Sequence, residues 1–441
     1  MSAGIKNLSE YPKPHRPVKA VQFGGGVFLR GFFDWMLQKA NDAGAYDGNA
    51  VIIRAKTGGE DPLAAQNFLY THISRDAAHC DATLIDSIET SVNPKDRPEA
   101  FFALARSAGL EIVVSNTTEA GIVYHPCPFE ENRAPDSYPA RLARFLYERY
   151  RAGQGGLLIL PCELIENNGR ALRSAVERHA ADWSLPEGFL AWLDRECSFR
   201  NTLVDRIVSG APETPVLLPY ADGAVNTGEF FHLWAIEGPP DARLPFAEAG
   251  LNVKWVDDVD EYRTLKVRIL NGAHTALIPF ALLRGIGTVG DCMQNPITRQ
   301  YLTACLFDEI IPSLGAEKKD EADAYARSVI SRFENPYIRH RCEAIALNSV
   351  SKFRVRVLPS IFDYHRIFGR FPPHLLFALA QLIAFYRFGA PRDDEETVTR
   401  MRRSDVGEVL ADGALWGADL TCLKDLLPPI GPEQKGENAL C

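Results

Sequence analysis

The sequence lacks the signatures of disulfide-stapled and membrane-spanning proteins. Its nine cysteines are an odd number and none forms a Cys-x-x-Cys pair, so we expect no disulfide framework and a reducing compartment, the cytoplasm. The longest apolar stretch, Leu375–Tyr386, is interrupted by Gln381 and is too short to cross a bilayer, which predicts a buried helix instead. Met1–Pro17 has no apolar segment of the kind found in signal peptides, so no cleaved leader is expected.

An excess of positive charge is also missing. The chain has 48 Lys and Arg against 57 Asp and Glu, a formal net charge of −9, which argues against a nucleic-acid binder that relies on overall positive charge. A local basic pocket for an acidic small molecule remains compatible with this balance. With 441 residues, 46% hydrophobic and 24% charged, the chain is predicted to be globular, with two or three domains.

The chain contains two kinds of pattern. In the first half, predicted strands alternate with predicted helices, which indicates a parallel sheet covered on both faces. The strands are Val18–Phe23, Ala50–Ala55, Glu111–Ser115, Leu157–Leu160, Val216–Tyr220 and Phe230–Ile236, and the helices include Pro98–Ala108, Ala140–Ala152 and Gly169–Trp183. From Val259 to about Phe388 the apolar spacing is helical. We therefore predict an α/β domain over residues 1–255, a mostly helical domain over 256–441, and a loose tail from Pro428.

Three glycines, Gly24, Gly25 and Gly26, join the first predicted strand to the first long helix. Glycine allows the backbone to turn tightly and to approach a pyrophosphate at a helix N-terminus. Gly24 and Gly26 fit the Gly-x-Gly fingerprint, but Leu29 occupies the third glycine position. The alternative is a tight strand-to-helix turn that binds nothing.

The end of the second predicted strand bears on the choice of cofactor. A carboxylate there would favour NAD by binding the ribose hydroxyls, whereas an arginine could accept the 2′-phosphate of NADP. Arg54 and Lys56 occupy this end of the strand, with no acid beside them. They could equally face solvent, so the residues alone leave NAD and NADP open.

The most specific chemical pattern is Lys266, Asn271 and His274. On an α-helix of about 100° per residue, Asn271 lies about 140° and His274 about 80° from Lys266, so all three can face one cleft. A lysine whose pKa is lowered by burial can exchange a proton with an alcohol or a carbonyl. Asn271 could then stabilise the alkoxide and His274 could orient a hydroxyl. The alternative is a structural helix with a solvent-directed lysine, a capping asparagine and a core histidine.

The Lys-x4-Asn-x2-His spacing resembles that of the polyol-specific long-chain dehydrogenases, the mannitol dehydrogenase family. The resemblance covers nearly the whole chain. It is carried by Phe23–Phe32, Ser115–Gly121, Leu160–Leu164, Lys266–Ala276, Arg332–Pro336 and Leu347–Phe353. Ser115–Gly121 and Leu347–Phe353 look most like the segments of members that act on sugar acids rather than on mannitol.

This resemblance implies a Rossmann-type N-terminal domain, a mostly helical C-terminal domain and an active site between them. It implies metal-independent hydride transfer between a nicotinamide and a ketone or secondary alcohol. The general acid/base falls on Lys266, assisted by Asn271 and His274, and a substrate-binding lysine falls on Lys352. The expected cofactor is NAD, with NADP not excluded. The residues expected to bind it are Gly24, Gly25, Gly26, Phe28, Arg30, Asn116, Thr118 and Glu119, and no metal is expected.

The chain departs from the family pattern at two positions. Arg263 stands where mannitol dehydrogenases have an acid three residues before the lysine, which puts any proton path through that acid in doubt. Leu164 replaces an asparagine that would contact the substrate oxygen, and Asn167 or Asn168 could take its place.

A sugar acid carries a carboxylate that mannitol lacks, and such a group calls for a cation, preferably a bidentate arginine. Lys352, Arg354 and Arg356 alternate along the chain and would share one face if this segment were extended. We therefore predict that Lys352 and Arg354 contact the carboxylate, the alternative being a solvated basic strand.

The predicted function is the interconversion of a keto-hexuronate and its hydroxy acid. The close alternatives are the same reaction on an epimeric keto-hexuronate and the oxidation of mannitol. A non-catalytic nucleotide-binding sensor is the alternative from another class, but the intact Lys-Asn-His set argues against it. A small sugar acid is the expected partner, with no nucleic acid, membrane or obligate protein partner.

Overall fold

The computed structural model describes residues 6–54, 61–117, 119–212, 216–403 and 405–431, with the side chains of Lys6, Glu119 and Ala120 left out. The chain divides into two compact units, Met1–Val259 and Asp260–Cys441. The sequence placed this boundary after residue 255.

A six-stranded parallel sheet forms the centre of the first unit. Its strands are β1 (Val18–Phe23), β2 (Asn49–Ile53), β3 (Ile88–Val92), β4 (Ile112–Ser115), β5 (Leu158–Pro161) and β6 (Ser198–Phe199). Neighbouring strands pair in parallel in the order β3-β2-β1-β4-β5-β6. This is the strand order of dinucleotide-binding Rossmann sheets, so the predicted fold class is confirmed.

Alternate residues of the central strands pack into two separate cores because successive side chains point to opposite faces of a strand. Ala20 and Ile52 belong to one buried cluster, whereas Val21 and Ile53 belong to the other. Both faces are therefore apolar, which explains the continuous hydrophobic runs in the sequence. The helices of this unit are Val27–Gly31, Phe33–Asp42, Pro98–Ala105, Tyr138–Arg151, Asn168–Asp182 and Glu187–Glu196.

The first unit also contains two smaller sheets, and the sequence predicted them poorly. One contains Val208–Gly210, Asn226–Gly228, Tyr70–Arg75 and Cys80–Ile85, and the other contains Thr202–Asp205, Leu233–Glu237 and Val253–Val256. The Tyr70–Arg75 strand was missed because its buried residues include Thr71, His72, Ser74 and Arg75, which hide the apolar pattern. The predicted strand Val216–Tyr220 was wrong, since only Tyr220 is extended, in a two-residue strand Tyr220–Ala221 paired with Lys6–Asn7.

The second unit is helical. Its helices are Asp260–Leu265, Lys266–Asn271, Gly272–Leu283, Val289–Gln294, Pro296–Ala304, Cys305–Ile310, Ile311–Ser313, Lys319–Phe333, Cys342–Ile345, Ser349–Arg356, Leu358–Phe368, Pro373–Phe388, Glu395–Met401, Val406–Ala411 and Gly413–Trp416. One large buried cluster joins them, and Pro373–Phe388 contributes its apolar residues to it, as predicted. Within the described part of the chain, no helix combines the length and the apolar character needed to cross a membrane.

Two short segments of this unit, Lys266–Asn271 and Cys305–Ile310, are π-helical. In a π-helix the backbone hydrogen bond joins residues five apart instead of four, and such turns are frequent at functional sites. Lys266–Asn271 continues the helix Asp260–Leu265 and leads directly into Gly272–Leu283. The following sections call Lys266–Asn271 the π-turn.

Candidate functional site

A cavity of about 700 Å³ opens at the carboxyl ends of β1, β2 and β4 in the first unit. Gly24, Gly25, Gly26, Arg30 and Asn116, five of the residues predicted to bind the cofactor, line it. Open parallel sheets bind ligands at this edge, where the strand order reverses. Thr118 lies outside the described residues and the side chain of Glu119 is not described. Phe28 is not among the described lining residues; its ring stacks on Phe32 at 5.0 Å.

The glycine turn leaves no room for side chains on two sides. A Cβ at Gly24 would lie 3.0 Å from the Asn116 carbonyl oxygen, and the φ of Gly24 is +111°, in a region that favours glycine. A Cβ at Gly25 would lie 3.1 Å from Ile52, whereas a Cβ at Gly26 would have no neighbouring atom within 4 Å. The turn therefore presents bare backbone to the cavity, which fits the pyrophosphate of a dinucleotide.

A buried glutamate holds the loop on the opposite side of this turn. The Oε1 of Glu163 accepts hydrogen bonds from the backbone N–H and the hydroxyl of Thr117, at 2.9 and 3.0 Å. Its Oε2 accepts from the Ser115 hydroxyl at 3.0 Å. Burial raises the pKa of Glu163, and these hydrogen bonds oppose the shift. Glu163 thus holds the residues on both sides of Asn116, whose side chain donates to the Cys162 carbonyl oxygen at 2.8 Å.

Asn168 cannot replace the family asparagine that Leu164 lacks. It is fully buried, and its amide nitrogen lies 3.0 Å from the carbonyl oxygens of Pro161, Glu163 and Thr202. An amide nitrogen has two hydrogens, so these three acceptors already exceed what it can donate. Asn168 therefore joins β5 to the strand Thr202–Asp205 and has a structural role.

An acid that sequence analysis missed lies beside the end of β2. Asp61 lines the same cavity as Ile53 and Arg54, and its carboxylate is 3.7 Å from the Arg54 guanidinium. Asp61 accepts hydrogen bonds from the Ser91 hydroxyl at 2.6 Å and from the Leu63 N–H at 3.1 Å. Asp61 comes several residues after the strand in the sequence, so the pattern of residues at the strand end did not include it.

Behind the first helix, Asp34 and Tyr70 form a fully buried pair. The Tyr70 hydroxyl lies 2.9 Å from both the Arg30 carbonyl oxygen and the Asp34 Oδ2. A phenol has one proton, so it can donate to only one of these acceptors; a protonated Asp34 would then donate to the phenol oxygen. Burial raises the pKa of Asp34 to about 7, in agreement with this proton arrangement.

In the second unit, the π-turn changes the predicted relation between Lys266 and Asn271. The estimate of about 140° assumed α-helical geometry, but residues five apart in a π-helix lie close to one turn apart. Lys266 and Asn271 are the first and last residues of this turn, and both are half-buried. The π-turn therefore brings the two closer to one face of the helix than an α-helix would. Arg263, which replaces the family acid, forms an ion pair with Asp260 at 3.0 Å.

His274 follows on the next helix and is buried, with 8% of its surface exposed. Its ring stacks on Phe333 with 4.2 Å between ring centroids and meets His340 edge-on at 5.5 Å. Burial lowers the pKa of His274 well below its usual value, and His340, Arg332, Arg356 and Lys352 lower it further. The imidazole is therefore neutral near pH 7 and can orient a hydroxyl by donating or accepting one hydrogen bond.

The basic run Lys352–Arg356 is not extended. Its three basic side chains therefore do not share one face, as they would in a strand. It lies in the helix Ser349–Arg356, where residues two apart point about 200° away from each other. Lys352 and Arg356, four apart, share a face, and both act on His274. Arg354 is exposed and lines a separate depression with Asp393 and Asp394. The alternation of basic residues assumed a period of two, whereas the helix separates Arg354 from Lys352 and Arg356.

The parallel sheet, its glycine turn and the helical second unit define a dinucleotide-binding oxidoreductase, and comparison with known proteins agrees. A model described as the mannitol dehydrogenase Rossmann domain matches residues 18–246, and one described as the mannitol dehydrogenase C-terminal domain matches residues 258–422. The chain belongs to the mannitol dehydrogenase family.

Among relatives, an altronate oxidoreductase of Klebsiella pneumoniae is 39% identical over 96% of this chain and 95% of its own length. An altronate oxidoreductase of Bacillus subtilis is 40% identical over 92% of this chain and 89% of its own. Two solved structures share the fold. A D-sorbitol dehydrogenase has a TM-score of 0.76 at 20% identity, covering 97% of this chain and 96% of its own. A Pseudomonas fluorescens mannitol 2-dehydrogenase, in a ternary complex with NAD and D-mannitol, has a TM-score of 0.71 at 21% identity, covering 95% and 92%.

Proposed function

We propose that this chain is a cytoplasmic, NAD-dependent oxidoreductase that interconverts D-tagaturonate and D-altronate. The observation that carries the proposal is its similarity to altronate oxidoreductases, 39% identical over 96% of the chain in one case. The presence of Lys266, Asn271 and His274 in one helical segment supports catalysis rather than nucleotide sensing. The cytoplasm is favoured because all eight cysteines in the described part of the chain are free thiols.

In this proposal Lys266 is the general acid/base. When bound, the nicotinamide supplies the hydride for reduction and accepts it for oxidation. Lys266 gives a proton to the ketone oxygen of the keto-sugar acid and removes it from the hydroxyl in the reverse direction. Asn271, close to Lys266 on the π-turn, donates a hydrogen bond to the same oxygen as negative charge develops there. Neutral His274 orients a substrate hydroxyl.

The first unit carries the cofactor in this account. Bare backbone at Gly24–Gly26 would hold the pyrophosphate, and the Asp61 carboxylate would accept hydrogen bonds from the ribose hydroxyls. A carboxylate also repels the 2′-phosphate of NADP, so we favour NAD. Arg54 does not offset this effect fully, because its guanidinium is already 3.7 Å from Asp61.

Oxidation assays test the substrate assignment. Purified protein would be given NAD with D-altronate, D-mannonate or D-mannitol, and formation of NADH would be followed at 340 nm. We expect kcat/KM to be highest for D-altronate. Preference for D-mannonate would assign the chain to fructuronate reduction, and preference for D-mannitol would show that no carboxylate is required.

A further inference from the structure

The Ser349–Arg356 helix brings an arginine, Arg356, to the surroundings of His274. This helix packs against both the π-turn and Gly272–Leu283. At its C-terminal end, the carbonyl oxygen of Arg356 would be 3.2 Å from a Cβ placed on Gly272, so the Arg356 backbone lies directly against the residue that follows Asn271. Arg356 is therefore held next to the segment that carries the Lys-Asn-His set.

The Arg356 guanidinium is half-buried, and no acid among the described residues accompanies it. Within the described ranges, its side chain makes no ion pair and no hydrogen bond to an acid. Burial alone lowers the pKa of Arg356, with no carboxylate raising it. A partly desolvated guanidinium is costly unless an anion accompanies it, and a planar carboxylate is the anion that its fork of N–H groups fits best.

The neighbouring groups make this region electropositive. Besides His340, the side chains whose charges lower the pKa of His274 are the cations Arg332, Arg356 and Lys352. Lys352 lies one helical turn before Arg356, and its ammonium donates to the Ile345 carbonyl oxygen at 2.8 Å. In addition, the Nε2 of His274 is buried and has no hydrogen-bond partner among the described residues. An electropositive region with an unsatisfied polar atom fits an anionic, hydroxyl-bearing ligand.

We propose that Arg356, with Lys352 beside it, binds the carboxylate of the sugar acid and selects sugar acids over uncharged sugars. This inference rests on the proposed function for the identity of the substrate. It differs from the sequence-based choice of Arg354, which faces the other side of the helix and lies near Asp393 and Asp394. Arg354 therefore provides a matched control, an arginine of the same helix that differs in direction and exposure.

The test compares Arg356→Gln, Arg356→Lys and Arg354→Gln in full-length protein. For Arg356→Gln we expect kcat/KM for D-tagaturonate to fall about 100-fold, mainly through KM, because a charged hydrogen-bonding partner is lost. Its kcat/KM for the uncharged ketose D-tagatose, and its affinity for NADH, should stay within about twofold of the unmodified protein. Arg356→Lys should retain an intermediate activity on D-tagaturonate, and Arg354→Gln should match the unmodified protein.

Equal losses on D-tagaturonate and D-tagatose, or a larger effect of Arg354→Gln, would overturn the role of Arg356. A calorimetric titration separates this failure from failure of the proposed function. The complex with NADH would be titrated with D-gluconate, an anionic probe, and with D-glucitol, its uncharged counterpart. If D-tagaturonate is not turned over, the carboxylate site is still supported when Arg356→Gln binds D-gluconate more weakly than the unmodified protein and Arg354→Gln does not. If Arg356→Gln leaves the affinity for both probes unchanged, the carboxylate site is contradicted.

Discussion

Lys266 and Asn271 lie at the two ends of one π-helical turn, five residues apart and both half-buried. Because a π-helix repeats its hydrogen bond at five residues, the two positions lie closer together around the helix axis than they would in an α-helix. An uninterrupted α-helix would separate them by about 140°. This spacing is compatible with the proposed roles of Lys266 as proton donor and Asn271 as hydrogen-bond donor to one substrate oxygen.

Replacement of Lys266 tests its assignment as general acid/base. We expect Lys266→Met to lower kcat about 10³-fold, since the proton would have to come from water. Binding of NADH, measured by its fluorescence on titration, should be unchanged. Lys319→Met, at a lysine paired with Asp323 on the surface, is the control and should retain full activity. Activity of Lys266→Met within tenfold of the unmodified protein would remove this lysine from the proton transfer.

The placement of Lys266 and Asn271 on one π-turn predicts that the effects of replacing them on kcat are not additive. Asn271→Ala alone should lower kcat by about 10²-fold, the cost of removing one donor to a developing oxyanion. In the double variant with Lys266→Met, the further loss due to Asn271→Ala should be clearly smaller if both groups act on one oxygen, as proposed. Full multiplication of the two losses would indicate that they act at separate places.

The position of Asp61 predicts the cofactor preference. Asp61→Ser should lower kcat/KM for NADH about tenfold and raise it for NADPH, because the acid proposed to bind the ribose and to repel the 2′-phosphate is removed. Arg54, released from its ion pair, would then be available to the phosphate. Asp76→Ser, at an exposed acid outside the cavity, is the control. An unchanged NADH-to-NADPH ratio in Asp61→Ser would show that Asp61 does not read the ribose.

The buried Asp34 predicts a pH dependence of folding. Its pKa is raised from 3.8 to about 7 in the folded protein, so between about pH 4 and pH 7 the native state retains a proton that the unfolded chain has lost. The contribution of Asp34 to stability therefore decreases as pH rises through this window. Asn cannot ionise, so the free energy of unfolding of the unmodified protein minus that of Asp34→Asn should decrease from pH 4.5 to pH 7.5. Urea denaturation at several pH values measures this difference, and a constant or rising difference would contradict a protonated Asp34.

The sequence predicted the fold well where apolar periodicity decides the structure. Strand β1 and the helix around Leu375–Tyr386 were found because their side chains face apolar cores on nearly every side. The strand Tyr70–Arg75 was missed because tertiary contacts, not its own apolar pattern, bury its polar residues. Val216–Tyr220 was wrong for the opposite reason, since an apolar run without a pairing partner does not form a strand.

The candidate site was predictable as a list of residues but not as a geometry. Motif spacing predicted Lys266, Asn271, His274 and the glycines as candidate residues, but a π-turn leaves no simple mark in the sequence. The arginine choice depended on whether Lys352–Arg356 is a strand or a helix, and three alternating basic residues do not settle that question. Asp61 required knowledge of where the chain returns to the sheet edge after β2.

The most direct test of the central claim is the rate of NADH oxidation by the purified protein with D-tagaturonate, compared with D-fructuronate and D-fructose under the same conditions. The account predicts the highest kcat/KM for D-tagaturonate, a lower value for D-fructuronate and the lowest for D-fructose. A preference for D-fructose, or no oxidation of NADH with any of the three, would contradict it.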